Sequence, residues 1–181
     1  MENKSNTPVV ISGTGLWTPP YVVTNEELVE SYNAYADKYN EENKEAIEAG
    51  ELAIKPQSSA EFIEKASGIK ARYAYIKEGI LDINRMRPKF PERGEDEVSN
   101  QAEIAIYAAK KAMAAANKTG KDIDAVIVSC AYTQRPYPAI AIEVQEQLGI
   151  EGFGFDMLVA CSAATFGFHR AYERVASGSA R

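Results

Sequence analysis

The residue best suited to covalent chemistry is Cys161, which stands where an apolar, strand-like segment changes into a helix rich in small residues. The segment reads DMLVACSAATFGF, residues 156–168. Unpaired backbone N–H groups and the dipole at a helix N-terminus favour a thiolate, the nucleophilic form of cysteine. Small neighbours leave room for a thioester and for N–H groups that face its oxygen. The pattern predicts a reactive thiol, and the alternative is a small buried apolar side chain.

Few other residues are candidates for catalysis. Cys130 ends a predicted strand with no helix directly behind it, so we expect it to be buried packing. The one histidine, His169, lies on the same predicted helix as Cys161, about 12 Å of rise further along, and we expect a surface or packing role for it. Two separated cysteines without a CxxC pair predict neither a disulfide framework nor a zinc site, and we expect no metal.

The elements that position Cys161 are predicted from apolar runs and from glycine and proline breaks. Strand-like runs alternate with helical segments, which indicates a layered α/β fold. The run AVIVSCA, residues 125–131, is almost continuously apolar, as expected for a strand covered on both faces. The predicted strands are residues 8–13, 69–76, 125–131 and 153–160. The predicted helices are residues 24–50 in two pieces, 58–68 with Ser58 and Glu61 as a capping box, 99–117, 138–148 and 161–178.

Composition excludes several classes of function. The 181 residues are 45% apolar and 25% charged, ordinary values for a soluble globular protein with one sizeable core. A net charge of −6 with scattered basic residues argues against a nucleic-acid partner. No run approaches the roughly 18 apolar residues that cross a membrane, and the polar start MENKSNTP does not resemble a signal segment. We therefore expect a cytoplasmic protein without a membrane partner.

Four stretches in a fixed order resemble one family of condensing enzymes. The nucleophile stretch is ACSAATFGF, residues 160–168; the others are VVISGTGLWTPPYVVTNEEL, FIEKASGIKARY and YTQRPYPAIAIEVQEQLGI. Together they resemble the N-terminal half of β-ketoacyl-acyl-carrier-protein synthase III. The resemblance implies one of the two similar halves of a thiolase-like fold, a mostly parallel sheet covered by helices, over residues 1–181.

The same resemblance implies the reaction. Cys161 would accept an acyl group from an acyl-CoA primer, with its backbone N–H helping to hold the thioester oxygen. Malonyl-acyl carrier protein would then decarboxylate and attack that thioester, a Claisen condensation of fatty acid synthesis. The coenzyme A thioester is a substrate, and no cofactor is expected. The family takes a histidine and an asparagine from its C-terminal half, which is absent from this chain.

The resemblance also implies substrate-binding residues. Phe62 falls where the family often has a tryptophan that stacks on the adenine of coenzyme A. Ala66 replaces a frequent arginine, and Lys65 and Lys70 are the nearby basic residues. Tyr137 falls near the place from which the family sends an aromatic residue into the acyl pocket of its partner subunit. We expect a homodimer in which residues 153–160 pair across the two-fold axis.

Two segments look like insertions relative to compact members of the family, at about residues 30–57 and 78–98. They would form either a lid or an altered acyl channel, or simply exposed loops. The chain stops after Arg181 within a segment that looks as though it continues, so we expect a piece of a longer protein. The alternatives to a synthase III activity are a hydroxymethylglutaryl-CoA synthase-like or olefin-type condensation, and a non-catalytic half-domain that acts as a scaffold.

Overall fold

The computed structural model describes residues 8–181, which divide into two compact units. The large unit comprises residues 8–17 and 93–181, and the small unit comprises residues 18–92. The small unit contains the first segment predicted as an insertion and most of the second. In chain order the elements are β1 (Tyr21–Thr24), α1 (Asn25–Glu42), α2 (Lys44–Glu48), α3 (Ala60–Ser67), β2 (Ala71–Ala74), α4 (Asn100–Ala115), β3 (Ala125–Cys130), α5 (Ile140–Leu148), β4 (Phe153–Leu158) and α6 (Ala163–Ala176).

The framework of the large unit is the parallel pair β3 and β4, whose register runs from Ala125 opposite Phe153 to Cys130 opposite Leu158. The side chains of β3 alternate between two faces, as a strand requires. One face packs on α4 and α5, where a buried cluster forms the core. The cluster is Ala102, Ile106, Ile140 and Val144, with Val126, Val128 and Cys130 against it. The other face carries α6, so the predicted strand is confirmed and has helices on both faces, but none of its residues is fully buried.

The small unit is built around the antiparallel pair β1 and β2. Thr24 caps α1 in a reciprocal capping box: its Oγ1 accepts from the Glu27 N–H at 3.2 Å, and Glu27 Oε2 accepts from the Thr24 N–H at 3.0 Å. A hydrogen bond from Lys77, followed by the Thr24 N–H, lowers the pKa of Glu27 below its ordinary value. The helix predicted over residues 24–50 is in two pieces, as expected, and the break lies at Asn43, between α1 and α2.

The chain returns from α2 to α3 along α1 and is held there by two asparagines. Asn40 accepts from the Lys55 N–H at 2.9 Å and donates to the Lys55 carbonyl at 2.9 Å. Asn33 makes the same double contact with Ser58, at 2.8 and 3.1 Å. The backbone of Ser58 is thus part of the extended return, and Ser59 caps α3 instead, its Oγ accepting from the Phe62 N–H at 3.1 Å. The prediction of Ser58 as the cap is wrong by one residue for this reason.

The first predicted strand, residues 8–13, is absent from the structure. Val10 is 76% exposed, and no strand among the described residues pairs with this run. A strand needs a hydrogen-bonded neighbour, which an apolar pattern alone does not supply. The run leads into two glycines that lie directly on α4: a Cβ at Gly13 would come within 2.4 Å of the Ala112 carbonyl oxygen. The small residues of α4 therefore do permit the close approach expected of them.

Within the described range, none of the helices combines the length and the apolar character needed to cross a bilayer.

Candidate active site

Cys161 lies in a 3₁₀ turn, Ala160–Ser162, between the end of β4 and the start of α6. Its side chain is exposed. The helix was predicted to begin at Cys161 but begins two residues later, because the Ser162 N–H closes a tight turn on the Val159 carbonyl at 3.0 Å. No side chain caps the N-terminus of α6. The thiol therefore stands immediately before the helix rather than within its first turn.

The backbone of this turn is strained at Ala160, whose φ is 43°. A residue with a Cβ in the left-handed region costs roughly 1–2 kcal/mol. Such strain persists where the surrounding structure over-determines it, and it clusters at functional sites. Here the strained residue directly precedes Cys161, whose side chain is exposed.

The start of α6 is anchored beneath the turn by residues with little or no side chain. Ala163 is buried, and Gly167 lies so close to β3 that a Cβ there would fall 2.2 Å from Ser129 Oγ. A cavity of about 390 Å³ opens beside this contact, lined by Ile127 and Ser129 of β3 and by α6. The close approach fixes the helix, and therefore the turn before it, against the parallel strands.

Aromatic side chains on more than one side of α6 are exposed. Phe166, Phe168 and Tyr172 are each at least half exposed, as is Leu158 at the end of β4. Exposed apolar surface of this extent is typical of a site that another element covers. His169 lies on the same helix with Nδ1 3.7 Å from a Glu173 carboxylate oxygen and is largely exposed, so its predicted surface position is confirmed.

Cys130 differs from Cys161 in surroundings. It is half-buried against the core cluster, and burial raises the pKa of its thiol, with a smaller contribution from the charge of Asp156. A raised pKa disfavours the nucleophilic thiolate. The predicted packing role of Cys130 is confirmed by this location.

The loop that carries Tyr137, residues 131–139, connects β3 to α5. Tyr137 is 85% exposed. The helix that follows has Ala139 as its N-cap, which offers no capping oxygen. Asp156 of β4 takes this role, with Oδ2 2.9 Å from the Ile140 nitrogen and Oδ1 2.8 Å from the Ala141 nitrogen. Asp156 is not among the residues predicted to be important, although a lone carboxylate within an apolar strand was the available signal.

In the small unit, Phe62 is 65% exposed and lines a cavity of about 730 Å³. Its apolar neighbours come from three segments: Leu28, Val29 and Tyr32 of α1, Ile63 of α3, and Met86. Lys65, the other predicted substrate-binding residue of this unit, is exposed and does not line the cavity. Lys70 pairs with Glu64 at 3.3 Å on the surface. Among the described residues, no group of acidic, histidine and cysteine side chains has the arrangement of a metal site.

Comparison with known proteins identifies relatives along most of the chain. It is 52% identical over 153 residues to the β-ketodecanoyl-[acyl-carrier-protein] synthase of Pseudomonas aeruginosa, a match that covers 84% of this chain and 44% of that protein. It is 27% identical over 173 residues to the β-ketoacyl-[acyl-carrier-protein] synthase III of Granulibacter bethesdensis, covering 95% of this chain and 40% of that protein. The chain thus spans less than half the length of these curated relatives. No protein-family model matches it.

Solved structures agree with the sequence comparison. The crystal structure of 3-oxoacyl-[acyl-carrier-protein] synthase III from Aquifex aeolicus superposes with a TM-score of 0.63 at 26% identity, over 94% of this chain and 41% of that one. Xanthomonas campestris OleA superposes with a TM-score of 0.64 at 21% identity, over 93% of this chain and 40% of that one, a likeness of fold alone. The resemblance seen in the motifs is confirmed: this chain is homologous to part of the β-ketoacyl-[acyl-carrier-protein] synthase III condensing enzymes and has the α/β architecture of part of their thiolase-like fold.

Proposed function

We propose that this chain is the nucleophile-bearing, N-terminal part of an acyltransferase that condenses an acyl-CoA primer with malonyl-acyl carrier protein in the cytoplasm. One observation carries the proposal: Cys161 is exposed on a strained turn between β4 and α6, in a chain 52% identical to a β-ketodecanoyl synthase. An exposed thiol before an uncapped helix is suited to act as the nucleophile.

In the proposed first step, the Cys161 thiolate attacks the carbonyl carbon of the acyl-CoA. The C–S bond to coenzyme A breaks, and the coenzyme A thiolate leaves with its electron pair. In the second step, malonyl thioester loses carbon dioxide, and the resulting carbanion attacks the acyl-Cys161 carbonyl. A new carbon–carbon bond forms, and the Cys161 thiolate is released for the next cycle.

The primer is proposed from the product named for the Pseudomonas relative. A β-ketodecanoyl group has ten carbons, of which malonyl supplies two after it loses carbon dioxide. The primer that leads to this product is an eight-carbon acyl group. We therefore infer a preference for medium-chain acyl-CoA, in keeping with apolar surface next to Cys161 at Leu158 and Phe166.

The remaining catalytic groups are proposed to come from the part of the enzyme that this chain does not span. His169 is directed to Glu173 on an exposed helix face and is a poor candidate for the decarboxylation step. The exposed aromatic side chains of α6 give the second half apolar surface to cover, because relatives of this chain are more than twice as long as the matched region. Covering it would also exclude water from the acyl-enzyme.

Coenzyme A recognition is proposed for the small unit. The exposed ring of Phe62 offers a stacking surface for an adenine, and the cavity beside it is of a size that suits an aromatic ring system. Lys65, one turn further along α3 and exposed, is proposed to meet a phosphate. Phe62→Ala should raise the KM for acyl-CoA with little change in kcat, because the lost contact is the same in ground and transition states.

A homodimer is proposed on two features of the large unit. The outer edge of β4 has no strand partner among the described residues, and an apolar free edge calls for a cover. Tyr137 is almost fully exposed on a loop of the same unit, as expected of a residue that enters a partner's pocket. An isologous pairing of β4 with its symmetry mate would satisfy the edge in both copies.

The decisive experiment is acylation of the full-length protein. Incubation with octanoyl-CoA, digestion and mass spectrometry should place one octanoyl group on the peptide that contains Cys161. Cys161→Ala should abolish the adduct, and the matched Cys130→Ala should retain it. An acyl-enzyme that still forms in Cys161→Ala would disprove the proposal. The same fold also supports other condensations, so a protein that acylates Cys161 but releases product without malonyl-acyl carrier protein would point to a different activity of the superfamily.

A further inference from the structure

The loop that carries Tyr137 is exposed at its tip but is held at its base by a ladder of hydrogen bonds to the start of α4. The side chain of Gln101 donates to the Tyr132 carbonyl at 2.8 Å and accepts from the Gln134 N–H at 2.5 Å. The side chain of Gln134 returns the contact by accepting from the Asn100 N–H at 2.9 Å. Loops of this length are ordinarily among the more mobile parts of a protein, so such reciprocal bonding is a specific restraint.

A buried carboxylate completes the restraint. Glu143, 7% exposed on α5, accepts from Arg135 at 3.0 Å, from the Ser99 N–H at 2.8 Å and from the Ser99 hydroxyl at 2.7 Å. The guanidinium of Arg135 also donates to the Glu97 carbonyl at 2.6 Å. The guanidinium therefore binds the loop both to α5 and to the segment before α4.

The next restraint lies at the far end of the loop, where Asp156 holds the Ile140 and Ala141 N–H groups. Tyr137 thus stands between two fixed points, Arg135 and Ile140, that are five residues apart in the chain. A buried ion pair is weak evidence for stability, since an apolar pair of similar volume often serves as well. The ion pair acts here by restricting the orientation of the loop, because a planar guanidinium can reach several acceptors at once in only one arrangement.

We infer that Arg135 and Glu143 are positioning residues that fix the Tyr137 loop and so determine which primer length the enzyme accepts. This inference rests on the proposed function, in which Tyr137 borders the acyl pocket of the partner subunit. A side chain that limits a pocket discriminates between chain lengths only if its own position is held to a fraction of an ångström. Loss of the restraint should leave Tyr137 present but free to yield to longer primers.

The restraint itself is tested by hydrogen exchange of the full-length protein, which requires no substrate. In Arg135→Ala and Glu143→Gln, the amides of Ser99, Asn100 and Gln134 should exchange about ten- to a hundred-fold faster, the cost of losing charged hydrogen bonds. Glu146→Gln, a matched change on the exposed face of α5, should leave these rates unaltered. Unchanged protection in the Arg135 and Glu143 variants would overturn the inference.

The effect on primer choice is tested by kcat/KM for octanoyl-CoA against dodecanoyl-CoA. We expect the ratio to fall at least about five-fold in Arg135→Ala. Arg135→Lys keeps the charge but loses the planar guanidinium, so its ratio should lie between those of Arg135→Ala and the wild type. Gln101→Ala, a milder release of the same loop, should shift the ratio in the same direction and covers the case in which Arg135→Ala does not fold. Faster exchange with an unaltered ratio would overturn the specificity role.

Failure of the proposed function has a different signature. A wild-type protein that takes no acyl group from any acyl-CoA would overturn the proposed reaction and the specificity role with it. The exchange rates would still support or overturn the restraint on the loop.

Discussion

The capping of α5 by Asp156 permits a prediction whose magnitude follows from the structure. Ile140 and Ala141 are fully buried, and each gives its backbone N–H to one oxygen of the same carboxylate. Since Ala139 has no capping oxygen, Asp156→Ala leaves two buried donors without an acceptor. An unsatisfied buried group costs about 1–3 kcal/mol, and loss of a negative charge at a helix N-terminus adds about 0.3–1 kcal/mol. With two such donors, Asp156→Ala should therefore reduce the free energy of unfolding by about 2–7 kcal/mol.

Asp156→Asn separates the charge from the hydrogen bonds. The amide keeps one acceptor oxygen but turns an NH₂ group towards the second donor, so about half of the loss is expected, roughly 1–3 kcal/mol. Urea denaturation of both variants, with the exposed Glu146→Gln of the same helix as the matched control, measures these differences. Exposed substitutions of this kind usually change stability by less than about 0.5 kcal/mol.

The pKa of Cys130 in the same two variants tests the electrostatic effect of the Asp156 charge. The negative charge of Asp156 is the second cause, after burial, of the raised pKa of Cys130. Both variants should lower that pKa while leaving it above its ordinary value, since burial remains. Alkylation rates of Cys130 against pH report the change. Asp156→Ala that destabilises no more than Glu146→Gln would refute the capping argument outright.

Three further predictions concern the thiols, the isolated chain and acid stability. Iodoacetamide at pH 7 should label Cys161 at least about ten-fold faster than Cys130, because one thiol is exposed and the other is half-buried with a raised pKa; equal rates by peptide mass spectrometry would contradict this assignment. The 181-residue chain alone should form no β-ketoacyl product from octanoyl-CoA and malonyl-acyl carrier protein, and any product in a radiochemical assay free of a second chain would count against the division of labour proposed above. The hydrogen bond from Lys77 lowers the pKa of Glu27, so Glu27 should contribute stability that is complete above its ordinary pKa of 4.5 and is lost as the pH falls through the lowered pKa. In Glu27→Gln, the unfolding midpoint should depend less on pH in this window. An unchanged pH profile would rule out the contribution.

The sequence predicted elements whose signals are local. The apolar run of β3, the start of α4 next to Ser99 and the change from strand to helix around Cys161 all lie close to where they were expected. Each depends on residues close in the chain, such as a capping hydroxyl three residues before the N–H that it accepts from. For the same reason the resemblance to condensing enzymes was visible in short stretches.

The sequence failed where the partner is distant or where local geometry is unusual. Residues 8–13 were predicted as a strand, but an apolar pattern does not reveal whether a neighbouring strand is present. The capping bonds of Asp156 span 15 and 16 residues, and the bonds between Ser99 and Glu143 span 44, so neighbouring residues do not reveal the partners of either carboxylate. The left-handed backbone at Ala160, where α6 begins two residues later than predicted, could not be foreseen because glycine, the usual sequence signal of a positive φ, is not present there.

The two asparagines of α1 also determine how the small unit can change in evolution. Asn33 and Asn40 are seven residues apart, about 10.5 Å along a helix, and the backbone groups that they bind, on Lys55 and Ser58, are three residues apart, about 10 Å along an extended chain. The match depends on distance and not on the side chains of residues 55–58. This stretch should therefore tolerate no gain or loss of a residue among relatives, and the two asparagines should vary only together.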